Sequence, residues 1–168
     1  PHSTGGKVLR VGMNADLGEA LGYLATPASS SDDAKDGKEP SETASDDHSH
    51  WRLRMAERMA GQLDGQRFGV KAMYVFGSTK NATAGPGSDI DLLIHFQGSE
   101  QQKQQLVLWL EGWSLCLAAI SVSRTGAKSN GLIDYQLLTD EDVATRTGYA
   151  AKIGAVTDAA RLLTLKSQ

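Results

Sequence analysis

The chain has 168 residues, 17 Lys and Arg against 20 Asp and Glu, a formal net charge of −3, and 40% apolar residues. This is globular composition, long enough for one ordinary domain and short for two, with no basic excess that would favour nucleic acid as a partner. The absence of an 18-residue apolar run argues against a membrane span, the absence of a signal-like leader makes a cytoplasmic location the expectation, and the single Cys116 excludes a disulfide framework or a multi-cysteine zinc site.

The chain opens on Pro1, as expected of a processed product or an excised module, and the first six residues carry no signal. Residues 1–25 form an N-terminal segment. Its Leu17, Leu21 and Leu24 fall at i, i+4 and i+7, which suits a short helix capped by Asn14 or Asp16. That piece is too small to fold alone and is expected to pack on the main domain, unless it is a remnant of another. Residues 26–49 hold seven acids and two bases with no large apolar residue, and are expected to be a disordered acidic linker.

The compact domain is expected from residue 50 to 168. Trp51, Leu53, Met55, Met59 and Leu63 outline an amphipathic helix ending near Gly65. Val70–Phe76 reads as a strand. Gly77–Ser88 reads as loop with at most a short helix, and Ile90–Phe96 as a second strand. Ser99 and Gln102 form a capping-box pattern before a helix reaching Ser121, with Gly112 a point of interruption. Leu132–Leu138 is the third strand. Thr139 and Asp142 open a helix expected to run through Val143, Tyr149, Ile153 and Val156, and Asp158–Leu165 is expected to be a final turn or helix. The fold class is therefore α/β or α+β, a small mixed sheet with helices packed on it.

The chemistry concentrates in Tyr74-Val75-Phe76-Gly77-Ser78 and Asp89-Ile90-Asp91-Leu92-Leu93-Ile94. A Gly-Ser pair ends an apolar strand, where glycine lets backbone approach a ligand and the following N–H and hydroxyl groups suit phosphate oxygens. Asp89 and Asp91 stand at i and i+2 of an extended segment, so they share one face while Ile90 and Leu92 point to the core. Neighbouring carboxylates repel unless a cation lies between them, and hard divalent ions take carboxylate oxygens. Asp134 is a third acid within an apolar strand. Three acids on neighbouring strands suit two Mg²⁺ ions about 4 Å apart, with Mn²⁺ as substitute. Asp140 and Asp142 are rivals to Asp134 but stand better at a helix start. A phosphatase of the haloacid dehalogenase type places Gly and Thr after its Asp-x-Asp, whereas Leu92-Leu93 follow here. A glycosyltransferase Asp-x-Asp leaves Gly77-Ser78 unexplained. His95 is read as a packed or edge histidine, Cys116 as a small buried hydrophobe, and Arg124 and Lys128 as a solvated loop.

Gly77-Ser78, ten residues, then Asp89-x-Asp91 between apolar strands resembles the signature of the DNA polymerase beta-type nucleotidyltransferase superfamily, in its minimal members. Trp109-Leu110-Glu111-Gly112-Trp113-Ser114, Thr125-Gly126, Leu132-Ile133-Asp134 and Tyr149-Ala150-Ala151-Lys152-Ile153 are similar to nucleotidyltransferase domains attached to phosphoenolpyruvate synthase or pyruvate phosphate dikinase-like proteins. The resemblance implies a nucleotidyltransferase fold. It also implies that Gly77 and Ser78, with Lys80 and Ser88, bind the NTP, and that Asp89, Asp91 and Asp134 are both metal ligands and catalytic residues. The implied reaction moves NMP to a hydroxyl of a protein or small-molecule acceptor and releases pyrophosphate. Small members often carry a basic residue directly after the Gly-Ser pair; here Thr79 intervenes, which leaves Lys80 to neutralise phosphate. The alternative is a non-catalytic NTP-binding or antitoxin-like regulatory module. In either case the small size favours a partner domain, attached or separate. The loop Thr79–Ser88 is expected to order on NTP binding.

Overall fold

The computed structural model describes residues 42–167. The N-terminal segment, its expected helix and the linker up to residue 41 lie outside the described residues. Helix α1 spans Glu42–Gln62, a four-residue helix α2 Gly65–Phe68, strand β1 Val70–Phe76, a four-residue helix α3 Gly77–Lys80, and strand β2 Ile90–Phe96. Helix α4 then spans Glu100–Thr125, strand β3 Ile133–Leu138, helix α5 Asp140–Thr145, a 3₁₀ helix Gly148–Lys152, and strand β4 Arg161–Leu163. The architecture is α+β, a mixed four-stranded sheet in the order β3-β2-β1-β4 with helices against it. β1 runs antiparallel to both β2 and β4, while β2 and β3 are parallel and joined through α4.

Strand alternation sorts β2 onto two faces. Ile90, Leu92 and Ile94 are fully buried against α1 and α4 in the main core. Asp91, Leu93 and His95 face the other way, where Leu93 packs with Leu138 and Ala150 in a smaller cluster. Each fully buried aliphatic side chain contributes about 1.5–3 kcal/mol, so the main face holds the strand in register whatever the second face costs.

Several expected boundaries shift. α1 begins at Glu42, inside the stretch expected to be disordered. Its Ser49 is buried, and the Ser49 Oγ accepts the Ala84 N–H at 2.9 Å, so tertiary contact gives this polar stretch a partner that composition does not reveal. α4 passes through Gly112 without a break and ends at Thr125, because buried Leu106, Leu110 and Leu117 on both sides of the glycine anchor one continuous stripe. The Ser99–Gln102 and Thr139–Asp142 capping boxes both form. The helix expected beyond Thr139 stops at Thr145. Arg146 then adopts a left-handed conformation, and Val156 is fully exposed, so its place in the apparent helical repeat was coincidental. The segment after Asp158 is strand β4, which pairs Leu163 with Met73. Cys116 is half-buried. By length and composition α4 is also apolar enough to cross a membrane, although no unbroken apolar run marks it; in this fold its buried stripe packs on the sheet.

Arg52 ties α1 to the loop before β2. Its side chain is fully buried. Nε donates to the Ser88 carbonyl at 2.8 Å, Nη2 to that of Pro86 at 2.9 Å and Nη1 to that of His48 at 3.2 Å. Replacing Arg52 with Leu strands these carbonyls, and each charge-assisted bond is worth roughly 1.5–3 kcal/mol. We expect Arg52→Leu to destabilise the domain by about 3 kcal/mol or more in urea unfolding, a loss well above that of a surface arginine.

Candidate active site

The C-terminal end of β1 meets the N-terminal ends of β2 and β3. Phe76 pairs with Asp91, and Asp91 pairs with Asp134 across the parallel ladder. Asp89 stands just before β2. The three expected acids therefore gather at one end of the sheet. Asp91 is half-buried, whereas Asp89 and Asp134 are exposed. Burial raises the Asp91 carboxyl above its usual range, and the charges of Asp134 and Asp89 push it the same way.

Gly77 follows Phe76 with a φ of +67° and opens α3. A Cβ at this position would overlap Oδ2 of Asp91, so the glycine is needed both for its left-handed backbone and for the close approach of the carboxylate. Ser78 follows, half-buried, and its carbonyl accepts the Thr83 N–H at 3.0 Å. Thr79, at the position where a basic residue was expected, is buried and its Oγ1 donates to the Asp89 carbonyl at 3.3 Å. Thr79 thus links the Gly-Ser turn to the acidic pair.

The loop Thr79–Ser88, expected to order on NTP binding, is held by bonds within the chain. Arg52 grips the Pro86 and Ser88 carbonyls, Ser49 grips Ala84, and the Ser88 hydroxyl accepts the Gly85 N–H at 2.9 Å. Burial lowers the Arg52 pKa and the Asp89 charge opposes that shift, which places the guanidinium within electrostatic reach of Asp89. Across the site, Ser114 of α4 accepts the Leu132 and Ile133 N–H groups at 2.9 and 3.1 Å. It thereby fixes the start of β3 immediately before Asp134.

Lys80 lies at the end of α3, where its Nζ donates to Asp158 at 2.8 Å. Asp140 pairs with Lys71 at 2.8 Å and His95 at 2.6 Å, and Asp142 caps α5, so both rivals of Asp134 are engaged at the far end of β3. Arg124 stacks over Trp51 and pairs with Asp47. Sequence reading missed Arg52, Thr79, Ser114, Asn81, Lys152 and Asp158. α1 carries three arginines, Arg52, Arg54 and Arg58, and nothing in the sequence singles out Arg52 as the buried one.

Carboxylate oxygens on neighbouring strands are the donors a hard divalent cation takes. Among the described residues no group of three or more His, Cys, Asp or Glu side chains converges to hold an ion by itself. Mg²⁺ is commonly held by one or two carboxylates with substrate phosphates and water supplying the rest, so this donor set fits an ion that arrives with a phosphate ligand.

Residues 63–138 match the model of the nucleotidyltransferase domain family. That stretch runs from the end of α1 through β3 and contains Gly77, Ser78, Asp89, Asp91 and Asp134. The match supports nucleotidyl transfer, and so a transferase, in general terms. It leaves out Lys152 and Asp158. A crystal structure of a "putative nucleotidyltransferase" from Sulfolobus solfataricus aligns at 22% identity over 66% of this chain and 85% of that one, with a TM-score of 0.35. So low a score leaves the argument about fold to the sheet topology itself. No curated protein matches the chain.

Two substitutions test the geometry. Because the folded state raises the Asp91 pKa, ionised Asp91 costs stability once the pH exceeds its folded value, and the cost vanishes below the unfolded value of about 3.9. Asp91→Asn should therefore raise Tm at neutral pH, with the gain shrinking as the pH falls into the carboxylate range. Gly77→Ala should cost roughly 1–2 kcal/mol from the left-handed backbone alone, with further loss from the displaced Asp91 carboxylate, measured by thermal unfolding.

Proposed function

We propose that this domain is a metal-dependent nucleotidyltransferase that moves NMP from an NTP to a hydroxyl of a protein or small-molecule acceptor. The observation that carries the reading is the register that sets Asp91 opposite Asp134 beside Gly77. Asp89, Asp91 and Asp134 would hold Mg²⁺, or Mn²⁺ in its place, two ions in the full site. When bound, the metal neutralises the triphosphate and stabilises charge on the attacking and leaving oxygens.

The chain's own residues do the rest. Gly77 and Ser78 receive the terminal phosphates on a turn whose missing side chain leaves room for backbone approach, and Lys80 adds positive charge. Arg52 and Thr79 fix Asp89 through the backbone on either side of it, while Ser114 fixes Asp134. The acceptor oxygen bonds to the α-phosphorus as the bond to the β-phosphate oxygen breaks. Pyrophosphate leaves with that electron pair, and the Asp134 carboxylate takes the acceptor's proton. Positioning and charge neutralisation supply most of the rate. Because the domain is small, a partner domain, attached or separate, presents the acceptor.

Thermal unfolding with each of the four NTPs, with and without Mg²⁺ or Mn²⁺, tests this reading. A metal-dependent rise of about 5–10 °C is expected for the preferred base at saturating concentration. Asp89→Asn should abolish the rise. A rise that needs no metal, or one that survives in the variant, contradicts the assignment of the acids.

A further inference from the structure

Three donors outside the acidic site converge on one carboxylate. Lys80 Nζ and Asn81 Nδ2 donate to Asp158 Oδ1 at 2.8 and 2.9 Å, and Lys152 Nζ donates to Asp158 Oδ2 at 2.9 Å. The donors come from the end of α3 and from the 3₁₀ helix, two stretches far apart in sequence. Two ammonium groups share one small acceptor, an arrangement that is repulsive without an anion between them. The Lys80 side chain is 17% exposed and that of Asp158 is 47% exposed, so the carboxylate lies on the open side of the cluster.

The cluster adjoins the Gly77–Ser78 turn. Lys80 closes the helix that Gly77 opens. Lys152 Nζ lies 5.7 Å from the ring centroid of Phe76, the residue before Gly77 and the β partner of Asp91. The loop that carries Asp158 is anchored at its two ends, where Ile153 and Ala160 pack against the smaller cluster, and at its tip through the Asp158 side chain. Gly154 and Asp158 are both left-handed, at φ of +69° and +52°, and Val156 between them is fully exposed. A backbone bond from Ala160 N–H to the Lys152 carbonyl at 2.8 Å closes the base of the loop ahead of β4.

We propose that Lys80, Asn81 and Lys152 form an anion site for the terminal phosphates of the NTP, and that Asp158 is its built-in occupant, displaced when a triphosphate enters. This rests on the nucleotide reading above and adds two donors and a gate to it. A terminal phosphate carries up to twice the charge of a carboxylate and three acceptor oxygens, so it matches two ammonium groups and an amide better than Asp158 does. Competition from Asp158 lowers the apparent affinity for every phosphate ligand, and most for those too small to gain contacts elsewhere.

Calorimetric titration of the full chain with inorganic tripolyphosphate, in EDTA so that the acidic site contributes nothing, tests the proposal. Asp158→Asn should tighten binding by roughly tenfold, and adding Lys152→Gln to that variant should reverse the gain. Asp158→Ser serves as a second variant, with circular dichroism confirming the fold of each. Unchanged or weaker binding in both Asp158 variants overturns the proposal. That result beside an intact metal-dependent NTP response in the wild type removes the gate and leaves the nucleotide reading standing. Tightening by Asp158→Asn with no NTP response of any kind keeps the anion site and removes the nucleotide reading instead.

Discussion

Like-charge repulsion at one end of the sheet is the constraint around which this domain is built. Asp91 is half-buried, stands opposite Asp134 on the parallel strand, and follows Asp89 by two residues on the same face. Its carboxyl is pushed up by burial and by both neighbours. No local preference favours that arrangement. The other face of β2 enforces it, where Ile90, Leu92 and Ile94 are completely buried, and a slip of one residue would send all three to the wrong side. Hydrophobic burial on one face thus fixes an unfavourable electrostatic feature on the other, the kind of perturbed carboxyl that clusters at functional sites.

Rigid elements hold the acids from both sides. Arg52, buried on α1, binds the carbonyls of Pro86 and Ser88 ahead of Asp89, and Thr79 binds the carbonyl of Asp89 itself. Ser114 on α4 does the same for the start of β3. These side chains act on backbone, so they set where a strand begins; Thr79 and Ser114 add no charge, and the Arg52 guanidinium adds a positive one within reach of Asp89. The glycine at position 77 completes the frame by leaving space that any side chain would take from Asp91.

Much of this was legible in the sequence, for a physical reason. β1 and β2 are short apolar runs between Gly, Ser and Pro, and their limits match the expected Val70–Phe76 and Ile90–Phe96. Both capping boxes were readable because their hydrogen bonds are local. What depends on distant partners was not readable. The first half of α1 meets the loop before β2 through the contact of Ser49 with Ala84, β4 exists through its pairing with β1, and Lys80 meets an aspartate 78 residues away. Val143, Tyr149, Ile153 and Val156 mimic a helical repeat, yet Arg146 turns left-handed among them and the helix ends. At the acidic end, alternation placed Asp89 and Asp91 on one face, but only the parallel register brings Asp134 to Asp91.

We propose that Asp89, Asp91 and Asp134 take divalent metal together with a triphosphate. Electron paramagnetic resonance of Mn²⁺ reads this directly, because bound Mn²⁺ loses the sharp six-line spectrum of the free ion. Titration of the full chain with Mn²⁺ and a non-hydrolysable NTP should show two protein-bound ions per chain, with weaker binding when the nucleotide is omitted. Spectra no different from those of Mn²⁺, with or without nucleotide, in the absence of protein would contradict this assignment.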